Sequence, residues 1–205
     1  ISKLGWIRDQ QAKLLGQLRE APRQYVERES HYLWGRRYLL SVVERDEKPS
    51  VQLGHRKITL TVRPGSNTAK REAVMQEWQR ALLHEAVPTL IRKWEKKLGV
   101  TVAGYFLQRM KTKWGGCNYR TGTIRLNTEL VKKPKDLLEY VVVHEMLHLI
   151  EPTHSERFVA LLDALPLPRR KIHPGITDDQ LFGGVDLSAT LSSGPGQMLA
   201  FARTA

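Results

Sequence analysis

Cysteine is nearly absent: Cys117 is the only one in 205 residues, so no internal disulfide framework exists and a reducing compartment is expected. Long apolar runs are missing as well. Nothing approaches the roughly 18 consecutive apolar residues of a membrane-spanning helix, and no basic, apolar and small-residue series of a secretory signal opens the chain. The chain contains no G-x-x-x-x-G-K-[ST] segment, which removes the common phosphate-cradling loop. No internal repeat is visible. Together these gaps predict a soluble, cytoplasmic protein with no membrane partner. The length allows one sizeable core, or one domain with an appendage. The first residue is Ile1 rather than methionine, and a segment is expected to precede it.

Acidic residues are the other shortage, with 21 Asp and Glu against 33 Lys and Arg. The imbalance is local. Residues 1 to 143 hold 28 Lys and Arg against 14 Asp and Glu, whereas residues 144 to 172 hold 4 of each and residues 173 to 205 hold 1 against 3. A basic field attracts polyanions, making nucleic acid a candidate partner for the region of residues 1 to 143. A merely solubilising surface accounts for the same charge.

The periodicity is helical from about Leu4 to Leu18. Tyr38 to Val43, Ser50 to Leu53 and Lys57 to Val62 are rich in β-branched residues and separated by turn formers, which predicts an antiparallel meander. After the loop formers of residues 63 to 67, apolar positions recur at helical intervals from Thr68 to about Leu98. Pro88 is expected to kink or split that helix, and Gly99 to close it. Two strands follow, over residues 101 to 107 and 122 to 127. The resulting division is an N-terminal helix and meander (residues 1–67), a second domain (68–172) and a loosely ordered tail (173–205). Helices packed on a small antiparallel-rich sheet define an α+β class.

Against that background one segment carries chemistry. Leu137 to Ile150 reads as a buried helix starting after Pro134, and within it stands His144-Glu145-Met146-Leu147-His148. Two imidazoles four residues apart share one helix face and can converge on one metal ion. Glu145 is rotated about 100° away, beside a metal-held water but outside the ligand set. That is the position of a general base. A catalytic zinc takes three protein ligands and leaves one position open. Pro152 should end the helix and let the chain fold His154 back as third ligand, with Ser155 capping the next helix. Glu151 and Glu156 are rival ligands. Cys117 is read as a half-buried turn residue. The plain alternative is a helix whose two histidines bind nothing.

Arg109 to Asn118, including Lys113-Trp114-Gly115-Gly116-Cys117-Asn118, then Ile124-Arg125-Leu126-Asn127, Tyr140 to His148 and His154 to Phe158 together resemble the YgjP-like metallopeptidase family, related to the WLM and SprT-type zinc peptidases. The resemblance is strongest over residues 105 to 165. It implies a zincin-like fold, Zn2+ held by His144, His148 and His154, and Glu145 as catalytic base. The chain departs from the family at Gly116, where serine is usual, and after about Lys171.

The function expected is hydrolysis of peptide bonds in a peptide or protein substrate, with Glu145 taking a proton from a zinc-activated water. The alternatives are a metal-dependent nucleoside triphosphate pyrophosphohydrolase and a DNA-associated protease or nucleic-acid-binding protein. Residues 123 to 127 are read either as a strand edge for an extended peptide or as an interior strand. Arg125, Asn127 and Tyr119 are candidate substrate-binding residues; Tyr119, Lys113 and Arg109 are candidates for stabilising an oxyanion. Trp114 is read as packing rather than as a substrate-stacking residue. The sequence leaves the oligomeric state open.

Overall fold

A computed structural model describes residues 22–167 of the chain. The helix expected near Leu4 to Leu18 and the tail from His173 to Ala205 lie outside the described residues. The architecture is α+β, with two small sheets and three α-helices among those residues.

The first sheet contains β1 (Ser30–Leu33), β2 (Arg36–Glu44), β3 (Ser50–Leu53) and β4 (Lys57–Val62), in the order β1-β2-β4-β3. It is not the expected meander: β2 and β4 run parallel, with Leu40 opposite Ile58 and Val42 opposite Leu60. The alternation of apolar residues dictates which face is buried but carries no strand direction. Leu40, Ile58, Leu60 and Val62 are all buried, and pairing β2 with the free edge of the β3/β4 hairpin places them on one face. Strand β1 was not expected. It pairs with β2 through the tight turn at Trp34-Gly35, both with positive φ (50° and 76°), the geometry that matches the twist of two adjoining strands.

That turn also locates the later metal-motif helix. Trp34 N–H donates to the Val131 carbonyl at 2.8 Å and Gly35 N–H to that of Lys132 at 3.2 Å. A Cβ on Gly35 would meet Pro134 Cγ at 2.8 Å. The absence of a side chain there allows the hairpin to lie against Pro134.

Helix α1 spans Thr68–Leu98, capped by the Asn67 side chain on Lys70 N–H and closed by Gly99 at φ 66°. It joins two cores. Met75 packs with the first sheet, whereas Leu83, Val87, Ile91 and Trp94 belong to the larger core around the metal-motif helix. Of the two outcomes expected at Pro88, a kink or a split, the split does not occur: the helix continues on both sides. The proline removes one hydrogen bond, to the carbonyl of His84, an exposed residue where water can replace it. Burial of Leu83, Val87, Ile91 and Trp94 on one stripe outweighs the about 3 kcal/mol that an interior proline costs.

The second sheet contains β5 (Gly104–Gln108), β6 (Gly115–Asn118) and β7 (Thr123–Asn127), ordered β5-β7-β6. It is mixed rather than simply antiparallel, with β5 parallel and β6 antiparallel to β7. Strand β6 is not among the expected strands, because Gly115-Gly116 has little strand propensity. A short 3-10 helix (Thr128–Lys132) leads to α2 (Lys135–Leu147) and then α3 (Glu156–Asp163). Glu139 of α2 accepts from Trp94 Nε1 at 2.8 Å and pairs with Lys93 at 2.5 Å, tying α2 to α1. Among the described residues no helix is long and apolar enough to cross a membrane.

Candidate metal centre

Helix α2 is buried along most of its length. Leu138, Val141, Val142, Val143, Met146 and Leu147 enter the core, which leaves one stripe to carry Tyr140, His144 and His148. The helix ends at Leu147, three residues short of the expected Ile150. His148 still has helical dihedrals as the C-cap, so the two histidines keep their stacked relation. Their ring centroids lie 5.0 Å apart.

His154 is brought back to them by the turn through Pro152. Ser155 then caps α3 by accepting from Phe158 N–H at 3.2 Å. This cap fixes where α3 starts, and one turn later it places Phe158, fully buried, beneath all three imidazoles. The Phe158 centroid lies 5.0, 4.6 and 4.9 Å from those of His144, His148 and His154. One potential ligand atom from each histidine falls within 4.8 Å of the others.

The donor chemistry fits a divalent cation. Burial first, and then its two neighbouring histidines, push His144 down to about 3. Burial also lowers His148 and His154, so all three rings are neutral near pH 7, the form that binds metal. His148 Nδ1 is 3.1 Å from the Glu151 carbonyl. A carbonyl only accepts, so Nδ1 carries the proton and Nε2 keeps its lone pair, the usual orienting contact of a metal-binding histidine. His144 Nε2 and His154 Nε2 are 3.0 Å apart. At that separation either one neutral ring donates its N–H to the other or both lone pairs face a cation between them. Two nitrogens bound tetrahedrally at about 2.0–2.1 Å from zinc would lie about 3.3–3.4 Å apart. A shift of a few tenths of an ångström reaches that value. His144 Nδ1 is buried without a hydrogen-bond partner.

Glu145 leaves the triad's face, as its place in the motif dictates. Its side chain is buried against β6, where a Cβ on Gly115 would fall 2.5 Å from Glu145 Oε1 and 2.7 Å from Cγ. Gly115 is therefore the residue whose missing side chain admits the carboxylate. Burial pushes the Glu145 carboxyl up to about 8, partly opposed by the charge of Lys113. Burial raises Cys117, on the same strand, to about 11, with a smaller push from Glu145. At neutral pH it is a thiol half-buried against the core.

The other sequence candidates separate. Glu151 uses its carboxylate to accept from Thr153 Oγ1 at 3.0 Å, and neither it nor Glu156 belongs to the triad. Asn127 is not available to a substrate. It is buried, with Nδ2 donating to the Met110 and Lys113 carbonyls at 2.8 Å each and Oδ1 accepting from Met110 N–H at 3.3 Å and Glu129 N–H at 3.1 Å. It clips the loop before β6 into place. Residues 123–127 form the central strand of their sheet and offer no edge; β6 and β5 occupy both sides. Arg125 and Tyr119 are exposed, Tyr119 at the turn after β6. Arg109 pairs with Glu72 at 3.6 Å. Trp114 is partly buried against the core, with Lys133 over its ring at 5.5 Å. Gly115 and the Phe158 platform were the parts not foreseen. The Ser155 cap, by fixing the helix phase, was the available signal for Phe158.

The chain matches the family described as YgjP-like, metallopeptidase domain, over residues 1–172. It is 64% identical over 39 residues to the magnesium-chelatase 60 kDa subunit of Cereibacter sphaeroides. That stretch is 19% of this chain and spans 7% of the length of the curated relative, too little to carry a function across. Two solved structures are also similar. The metallopeptidase zymogen of Pyrococcus abyssi abylysin is 23% identical, covers 39% of this chain and 80% of its own, and has a TM-score of 0.36. The metallopeptidase zymogen of Methanocaldococcus jannaschii jannalysin is 18% identical, covers 52% and 89%, and has a TM-score of 0.34. At those scores neither overlay bears on fold or chemistry. The family match is different in scale, running through both sheets, the three histidines and Glu145: this chain belongs to the YgjP-like metallopeptidase domain family.

Proposed function

We propose that the protein is a zinc-dependent peptidase in which His144, His148 and His154 hold the metal and Glu145 is the general base. The observation that supports this reading best is the convergence of three neutral imidazoles within 4.8 Å, with a buried carboxylate on the next residue of the same helix. Three imidazoles, with no thiolate or fourth protein ligand beside them among the described residues, favour zinc in a catalytic rather than a structural role.

When bound, zinc supplies a Lewis acid that polarises a carbonyl and lowers the pKa of water towards about 7. The protein's own part follows from its geometry. The Glu145 carboxyl, raised to about 8 by burial, is brought back towards the ionised form by a cation beside it. As carboxylate it takes a proton from the attacking water and returns it to the leaving amine. Lys113 is near enough for its charge to act on Glu145, and of the three oxyanion candidates it is the one so placed. Phe158 closes the floor beneath the imidazoles and excludes water from that side.

The substrate-bearing edge is β6 rather than β7. Strand β6 pairs only with β7 among the described strands, and it is the strand against which Glu145 lies. Gly115 and Gly116 leave its backbone open to pairing with an extended peptide.

Glu145→Gln tests the assignment. The variant is expected to keep its zinc and lose about 10²- to 10⁴-fold of its turnover of an unstructured protein; undiminished cleavage removes Glu145 from the mechanism. Inorganic phosphate or pyrophosphate release from nucleoside triphosphates, with no peptide cleavage, would instead make the substrate a nucleotide.

A further inference from the structure

The last acidic residue before β5 is Glu95 and the next is Glu129, so residues 96 to 128 contain no Asp or Glu at all while carrying 7 Lys and Arg. This stretch forms the entire second sheet and its loops. One face of the sheet packs on the core through Leu107, Ile124 and Leu126. The period-2 alternation puts Phe106 and Arg125 on the other face. The two are Cα partners across the β5/β7 ladder, and Phe106 is 55% exposed. The phenyl ring thus stands in water on the same face as the Arg125 guanidinium. Gly116, opposite Arg125 on β6, adds no bulk to the row, so the face is open on that side.

The same face is flanked by cations at both ends. At one end the β6–β7 turn presents Tyr119, 50% exposed, with the Arg120 guanidinium 5.9 Å from its ring centroid. At the other end the loop after β5 presents Lys111. Among the described residues Arg120, Arg125 and Lys111 enter no ion pair. Five residues of strand span about 17 Å, and the terminal loops lengthen the strip to the run of a few nucleotides.

We propose that the outer face of the β5-β7-β6 sheet binds single-stranded nucleic acid, with bases stacking on Phe106 and Tyr119 and phosphates held by Arg120, Arg125 and Lys111. Exposed aromatics supply the sequence-tolerant stacking, and interleaved cations follow the backbone. An acidic polypeptide would use the cations but leaves the two aromatic rings without a role, so the rings decide between the two polyanions. The strip runs to the loop that leads into Gly115, beside Glu145. Binding itself does not rest on the peptidase reading.

The test is fluorescence anisotropy of a labelled oligothymidylate with the full chain, at several salt concentrations. Phe106→Ala is expected to weaken binding about 5- to 150-fold, the range that one lost stacking contact produces. Arg125→Gln should flatten the salt dependence by about 0.7 in the slope of log K against log salt. Both side chains are exposed, and unchanged circular dichroism and melting will show that the variants fold. Absence of binding at low salt overturns the proposal. So does binding that both variants leave intact, which would place the contact elsewhere in the basic region. Equal competition by polyglutamate, unaffected by Phe106→Ala, would convert the surface into an acidic-peptide site and also overturn it.

Discussion

Placing a methyl group on Gly115 isolates the contact that sets the proposed base. The new Cβ would lie 2.5 Å from Glu145 Oε1, 2.7 Å from Cγ and 2.8 Å from Cδ, whereas non-bonded carbons rest at about 3.5–4.0 Å. The overlap is therefore roughly an ångström against three atoms. A flexible side chain could swing its tip away from one of them, but Cγ sits close to an α2 backbone fixed between the buried residues Val143 and Met146. Either the carboxylate leaves its position or β6 recoils from the helix. Overpacking of this kind costs about 1–3 kcal/mol, a large share of the about 5–15 kcal/mol that holds a typical domain together. Urea denaturation of metal-free wild type, Gly115→Ala, Glu145→Ala and the double variant measures it as a cycle. The methyl group should cost about 1–3 kcal/mol beside Glu145 and under about 0.5 kcal/mol once that side chain is gone. Peptide hydrolysis by Gly115→Ala should fall as well. Equal cost in both backgrounds, or a fully active and fully stable Gly115→Ala, refutes the claim that Gly115 makes room for Glu145.

Phe158→Ala should destabilise the fold by about 3–5 kcal/mol and weaken metal retention, because the ring supports all three imidazoles; a chelator competition that reads wild-type affinity in a folded Phe158→Ala protein would contradict this. Acid should loosen the first sheet. Burial holds His31 below its usual 6.5 despite contact with Glu29, so unfolding takes up a proton and stability declines as pH drops below about 6.5. Burial raises Glu29, but the Gln24 and Tyr25 amides and His31 outweigh it and leave the carboxyl below its usual 4.5, so its contribution is lost as pH falls further, through its folded value. Melting temperature of the metal-free protein should therefore decline from neutral pH downward, with His144, His148 and His154 adding to the decline, and His31→Gln should make its upper part shallower. A flat profile from neutral pH to 4.5 would show that His31 is not linked to folding.

The metal-motif helix could be read from the sequence because its signals agree: Pro134 at its start, a buried apolar run, and two histidines at the spacing of one turn. The return of His154 was legible for the same reason, since Pro152 and Ser155 are local instructions. Strand direction was not. The segments Tyr38–Val43, Ser50–Leu53 and Lys57–Val62 lie in strands as expected, yet side-chain alternation is identical for parallel and antiparallel partners, so the parallel β2/β4 pair leaves no mark in it. Strand β6 was hidden because its two glycines have no side chains to show a pattern; its strand character comes from pairing with β7. Asn127 was misread for a related reason. A polar residue at a strand end looks available to a ligand until its hydrogen bonds to Met110, Lys113 and Glu129 are seen.

The central claim is that one divalent ion sits among His144, His148 and His154. Elemental analysis of the purified chain, beside His144→Ala, His148→Ala and His154→Ala variants shown to be folded, tests it most directly. The account predicts about one zinc per chain in wild type and its loss in each variant. A wild-type chain that takes up no metal, or variants that retain it undiminished, would contradict it.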